Sequence, residues 1–295
     1  MVFLWFYAIL YTMKGGADMR FRKIYLEISN LCNLHCAFCP GTRRTPGRLS
    51  VEHFSQLLPK LRPYTDFLYF HIMGEPLCHP HLKEFLQLAN DFEFRVILTT
   101  NGTLLSQQQN LLLSAPALHK VNISLHAFEA NDLNIPFSEY LDACCSFGRA
   151  VAGKKLVVYR LWNQGGADDL NSQILAALEQ NFPKPWTESR HGIRIGDRVF
   201  LEYGEKFDWP DLSAPEDTEK LFCYGLRDQL GILCDGTVVP CCLDHDGDIA
   251  LGNLFHQDLE EILASPRAKA LYDGFSRKEA TEPLCRRCGY ARRFR

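Results

Sequence analysis

No stretch of this sequence is apolar for long enough to cross a membrane as a helix, which takes about 20 residues. The longest such run, MVFLWFYAILY at Met1–Tyr11, stops before Lys14. No basic segment precedes it and no small-residue cleavage site follows, so a secretory signal is not indicated. Neither sign of charge dominates, with 32 Lys+Arg against 35 Asp+Glu and a formal net charge of −3. That balance argues against bulk electrostatic binding to nucleic acid. Internal repeats and low-complexity tracts are missing as well. The 46% apolar content is enough for a core, which excludes disorder as the main state.

Cysteine is what the chain has in plenty: 12 in 295 residues. Without an export signal, these thiols point to a reducing, cytoplasmic setting where metal ligation is favoured over disulfides. Met19 opens a strand-like segment, so residues 1–18 read as an extension outside the fold, with translation starting at Met19 or Met13; a short membrane-associating segment is the other reading.

Apolar strands then alternate with amphipathic helices. Strands are expected at Lys23–Ser29, Phe67–His71, Arg95–Thr100, Lys120–Leu125, Lys155–Leu161 and within Ile193–Tyr203. Helices are expected at Val51–Leu61, capped by Ser50, then at Pro80–Asn90, Gln107–Leu113, Pro136–Val151 and Asp168–Asn181. Near-continuous apolar strands such as Val96-Ile97-Leu98 fit a parallel sheet covered on both faces. About six βα units are too few for a closed eight-stranded barrel. The predicted fold is α/β: a partial (β/α)6 TIM-like barrel over 19–204, with a doubly wound sheet as the other choice. An acidic linker follows at 205–220, then a small cysteine-rich domain at 221–295. Ligands are expected at the C-terminal strand ends.

The first thiol group is Cys32-x3-Cys36-x2-Cys39, directly after the first strand. Three thiolates on one loop hold three irons of a [4Fe-4S] cube and leave the fourth iron open, whereas an electron-transfer cluster takes a fourth Cys. Zinc is the other reading of such a group. The second group is Cys223, Cys241 and Cys285-x2-Cys288, drawn together by a hairpin turn at Asp235-Gly236. Spacing alone also suits a zinc ribbon there.

On Cys32, Cys36 and Cys39, with Phe38 before the last of them, the chain resembles the radical S-adenosylmethionine (SAM) superfamily. The resemblance implies that SAM chelates the open iron and is cleaved reductively to a 5′-deoxyadenosyl radical, which abstracts hydrogen from a substrate. Met73-Gly74-Glu75-Pro76 looks like that family's Gly-Gly-Glu-Pro segment, with Met73 in place of the first Gly. It implies Gly74 and Glu75 as contacts of the methionine amino group. Ser124, with Asn122 on the same face of the strand, looks like the polar position near SAM. Phe38 and Arg160 complete the implied cofactor contacts. Arg160 is a charge on an otherwise apolar strand and needs a partner, either a ligand or a structural carboxylate. Arg160, His126 and Glu202 are the candidate catalytic residues.

The second group resembles the C-terminal auxiliary-cluster domain called SPASM, and in its four-cysteine form the shortened twitch variant. It implies a second [4Fe-4S] cluster held by Cys223, Cys241, Cys285 and Cys288. Cys78, Cys144, Cys145, Cys234 and Cys242 remain as small core residues, with Cys234 and Cys242 as alternative ligands. An auxiliary cluster suits a net two-electron oxidation. The expected activity is therefore oxidation of a small polar alcohol, with peptide or protein maturation, or a non-catalytic iron–sulfur or zinc protein, as alternatives. A flavodoxin- or ferredoxin-like electron donor is the expected protein partner, and no membrane. The arginines at 286, 287, 292, 293 and 295 read as a solvated basic tail, or as a contact for such a donor or for RNA. Asp244–Asp248 reads as a turn.

Overall fold

The computed structural model describes residues 20–217 and 221–294; the expected extension at 1–18 and Arg295 lie outside them. The strands are β1 (Lys23–Leu26), β2 (Phe67–Phe70), β3 (Arg95–Thr100), β4 (Leu118–Ser124), β5 (Leu156–Gln164), β6 (Thr187–Ser189), β7 (Gly192–Gly196), β8 (Val199–Glu205), β9 (Gln229–Ile232), β10 (Thr237–Val239) and β11 (Gly252–Asn253). The helices are α1 (Val51–Leu61), α2 (Leu82–Asp91), α3 (Leu105–Ser114), α4 (Phe137–Val151), α5 (Asn171–Asn181), α6 (Leu259–Ala264) and α7 (Pro266–Ser276).

Local chemistry sets these elements. Ser50 Oγ accepts from the His53 amide at 3.1 Å and starts α1. Phe54, Leu57, Leu58 and Leu61 then recur at helical spacing and are all buried. Phe54 stacks on Phe85 of α2 at 4.4 Å and meets Phe70 of β2 edge-on at 5.7 Å. Each such buried side chain contributes roughly 2 kcal/mol. Val96, Ile97 and Leu98 of β3 are buried together, as a strand covered on both faces requires.

β1, β2, β3, β4, β5 and β8 run parallel in that order. All six contribute to the lining or rim of one cavity, from Arg22 and Tyr69 round to Val158 and Phe200. The sheet therefore curls into a partial barrel, as expected. The expected single strand within Ile193–Tyr203 is instead a hairpin. β7 turns back onto β8 in antiparallel pairing through Asp197 and Arg198, the latter at φ +60.

β9 pairs parallel to the free edge of β1, with Lys23 opposite Gln229 and Leu26 opposite Ile232. β10 then pairs antiparallel to β9 across the Asp235-Gly236 turn. The cysteine-rich segment thus continues the barrel sheet, and one core runs from Leu26 and Val121 to Ile232, Leu259 and Leu271. Among the described residues, the arginines near the C-terminus are held by partners rather than forming a solvated tail. Arg286 and Arg287 pair with Glu216 at 3.2 and 2.8 Å, and Arg292 with Asp217 at 3.3 Å. Acidic residues of the expected linker are what they hold. No helix among the described residues is long and apolar enough to cross a membrane.

Candidate active site

The C-terminal ends of β1 to β4 gather the first group. Cys32, Cys36 and Cys39 lie on the loop after β1, and amide donors face two of the sulfurs. Cys32 Sγ accepts from Leu34 N at 3.4 Å and lies 3.9 Å from Asn101 Nδ2. Cys36 Sγ accepts from Asn131 Nδ2 at 3.1 Å. Cys39 Sγ lies 4.0 Å from Met73 Sδ. Burial pushes the Cys32 thiol up to about 11 and raises that of Cys36 as well, against the pull of these donors. A cationic centre is what relieves such a cost.

Gly74, at φ +76, tucks the turn after β2 beneath this loop. The next amide, Glu75 N, donates to Leu31 O at 2.9 Å. The Glu75 side chain is 2% exposed, and both its oxygens are occupied. Oε1 accepts from Leu77 N at 3.0 Å and Oε2 from Asn101 N at 2.7 Å. Burial raises its carboxyl to about 7. Glu75 thereby braces the loops after β2 and β3 beside the thiols.

Asn122 and Ser124 sit on β4. Asn122 Nδ2 donates to Thr99 Oγ1 at 3.2 Å, while its Oδ1 is buried with no partner. An orphaned acceptor on the barrel wall is a place for a ligand donor. Ser124 ends the strand next to Arg160 of β5 in register. Arg160 Nε meets Glu202 Oε2 of β8 at 3.1 Å, and its guanidinium lies 4.6 Å from the Trp162 ring centroid. The structural carboxylate is thus the partner found for Arg160. His126 Nδ1 lies 3.1 Å from the Arg160 carbonyl, the shorter of its two backbone contacts. We assign Nδ1–H as the donor there. Phe38 faces that imidazole, ring centroids 5.0 Å apart. His126 accordingly ties the first cysteine loop to the Arg160–Glu202 pair.

Cys223, Cys241, Cys285 and Cys288 converge beside β9 and β10. Burial raises all four thiols, Cys223 to about 11, and each of Cys223, Cys241 and Cys285 is pushed further by others of the set. Soft, crowded thiols of this kind fit a polynuclear iron centre. Among the described residues no three His, Cys, Asp or Glu side chains close in on a single bare ion. Cys234 lies elsewhere: its sulfur is 3.9 Å from Arg44 Nη1 and its amide donates to Glu27. Cys242 packs against Tyr25 of β1 at the barrel wall. Cys144 and Cys145 are buried in α4, and Cys78 lies close enough to Cys32 to raise its thiol.

Several neighbours went unread in the sequence. Asn101 had a turn signal only, and Asn131 had none. Trp209, whose indole donates to Phe38 O at 3.1 Å, lies in what read as linker. His71 gave no sign of facing Arg160; burial, then that charge, lowers its imidazole to about 4.

Comparison with known proteins matches residues 26–150 to the radical SAM superfamily and residues 223–289 to SPASM, an iron–sulfur cluster-binding domain. The SAM-dependent 2-deoxy-scyllo-inosamine dehydrogenase of Niallia circulans is 26% identical over 117 residues, 37% of this chain and 47% of that protein. Sporulation killing factor maturation protein SkfB of Bacillus subtilis is 23% identical over 277 residues, 80% of this chain and 63% of that one. The crystal structure of BtrN in complex with AdoMet and 2-DOIA shares the fold, with TM-score 0.62 and 19% identity, covering 92% of this chain and 94% of that one. The alignments with several curated relatives span about a third to a half of their length.

Proposed function

The chain is a radical SAM protein with a C-terminal SPASM domain, and from that premise we propose that it oxidises a small polar alcohol. Its cofactors are a [4Fe-4S] cluster with SAM, for which Cys32, Cys36 and Cys39 are the ligands we propose, and an auxiliary iron–sulfur cluster. For the auxiliary cluster we propose Cys223, Cys241, Cys285 and Cys288. When bound, these groups supply a 5′-deoxyadenosyl radical that takes a hydrogen atom from substrate carbon, and an acceptor for the electron left behind.

The observation that carries this reading is the wall between the two thiol groups. Tyr25 of β1 touches Cys242, the neighbour of Cys241. The charge of Arg160 reaches Tyr290, two residues beyond Cys288. An acceptor held by the second group would adjoin the inner barrel face that Arg160 and Glu202 share, by strand alternation, with Val158 and Phe200. On that face Glu202, polarised by Arg160, takes the proton of the substrate hydroxyl, and Arg160 orients the oxygen. Asn122 Oδ1 and Ser124 offer acceptors to SAM. A flavodoxin- or ferredoxin-like donor in a reducing cytoplasm would supply the electron that SAM cleavage takes, a setting that suits the free thiols.

The test is anaerobic turnover of the reconstituted protein with SAM and dithionite over a panel of cyclitols, polyols and short peptides. Formation of 5′-deoxyadenosine matched by a two-electron-oxidised alcohol is the expected result. Stimulation by peptides alone would instead favour a maturase, the second reading, which the long alignment with SkfB supports.

A further inference from the structure

The barrel has a second opening, at the end away from the cysteine loop. A cavity of about 250 Å³ lies there. Arg22 precedes β1, and Phe67, His119 and Lys120 stand at the starts of β2 and β4. His191, in the turn between β6 and β7, closes one side and packs edge-on against Phe200, ring centroids 5.5 Å apart. Four of the ten lining residues are basic and none is a carboxylate.

Two of those cations have nothing to bind. Among the described residues the Lys120 and Arg22 side chains make no hydrogen bond, ion pair or cation–π contact. A neighbour shows what a satisfied lysine looks like in this fold. Lys155, 8% exposed, donates to Ala115 O at 2.6 Å and Leu118 O at 3.1 Å. Lys120 is partly buried on the inner face of β4, between Ile97 and Leu156 in register. The carboxylate within electrostatic reach, Glu202, is held by Arg160. Burial and the charge of Arg160 lower the Lys120 ammonium to about 8. His191 is lowered by burial and by Arg190 and Lys120, and His119 by burial and by the cations around it. No carboxylate lines the cavity to balance these groups, and a partly buried cation without a partner is costly.

We propose that this floor cavity is a binding site for a compact oxyanion, a phosphate or phosphate-tipped small molecule held by Lys120 and Arg22 with His119 and His191 at its rim. Aromatic walls from Phe67, Tyr69 and Phe200 exclude water and strengthen the charge-assisted hydrogen bonds such an ion would accept. The site is separate from the cysteine loop, which lies at the opposite strand ends, and the proposal stands whatever the reaction there.

Isothermal titration of the reconstituted full-length protein with inorganic phosphate and, in parallel, with glycerol 3-phosphate tests it. Both are expected to bind. Tighter binding of the organic phosphate assigns a phosphate-tipped molecule, and equal binding assigns the free ion. Lys120→Met and Arg22→Gln should each weaken binding at least about tenfold. Arg22 is exposed, so its variant tests the site even where Lys120→Met disturbs folding. Absence of binding by the wild type, or equal affinity in a folded Arg22→Gln, would overturn the proposal.

Discussion

Gly74 lies so close to Ser29 that a Cβ on the glycine would stand 2.2 Å from the serine carbonyl oxygen. Leu31 O would be 2.9 Å from the same atom, and the glycine already sits at φ +76. Gly74→Ala therefore has to move the loop that carries Cys32. The backbone conformation alone costs about 1–2 kcal/mol in an L-residue, and the clash adds to it. A lower melting temperature, with less iron retained after reconstitution, is expected. Differential scanning calorimetry and iron assay check both.

Glu75 offers a pH test with a definite sign. Burial raises its carboxyl from the usual 4.5 to about 7. Between these values the folded chain holds a proton that the unfolded chain releases. The group's contribution to stability is thus full below pH 4.5 and is lost as pH rises toward 7. Relative to Glu75→Gln, the SAM-free wild type should lose on the order of 3 kcal/mol across that window. Denaturant midpoints of the two proteins, measured side by side, give the difference. Parallel curves would show that Glu75 is ionised throughout.

The Arg160–Glu202 pair is partly open to solvent, so its removal should cost little stability, under about 1 kcal/mol. Its expected weight is in turnover. Loss of a positioned proton acceptor slows catalysis by about a hundredfold or more. Glu202→Gln should lower kcat by that order with SAM affinity unchanged. Single-turnover formation of oxidised product, set beside SAM titration, separates the two effects.

Replacing both Cys285 and Cys288 by Ala should lower iron from about eight to about four atoms per chain. Loss of zinc instead, with about four irons in both proteins, would mark the second site as structural. SAM cleavage without substrate should survive the double substitution, because Cys32, Cys36 and Cys39 stand on a different loop.

The chemistry was legible where it is local. Cys32-x3-Cys36-x2-Cys39 and Gly74-Glu75-Pro76 are short patterns, and Asp235-Gly236 turns as its residues require, with Gly236 at φ +86. The hairpin of β7 and β8 was missed because Arg198, not Gly or Asn, takes the positive φ. Asn101 and Asn131 reach sulfurs 69 and 95 positions away, and nothing in a single sequence announces such pairs. Arg160 was recognised as needing a partner, and Glu202 was singled out separately. That they meet depends on β5 lying beside β8, across the intervening helix and hairpin.

The pairing of β1 with β9 has a consequence for how the chain is made. Lys23 finds Gln229 only 206 positions later. Throughout synthesis of the barrel, the first strand emerges with one flank of amides and carbonyls unmatched. An open flank of this kind recruits other strands, including those of neighbouring nascent chains. A truncation at the end of the barrel would make that transient condition permanent, and the fragment should precipitate rather than persist as a minimal catalyst. The last strand laid against β1 is a molecular seal, and the thiols that flank it arrive at the barrel wall because the seal is made.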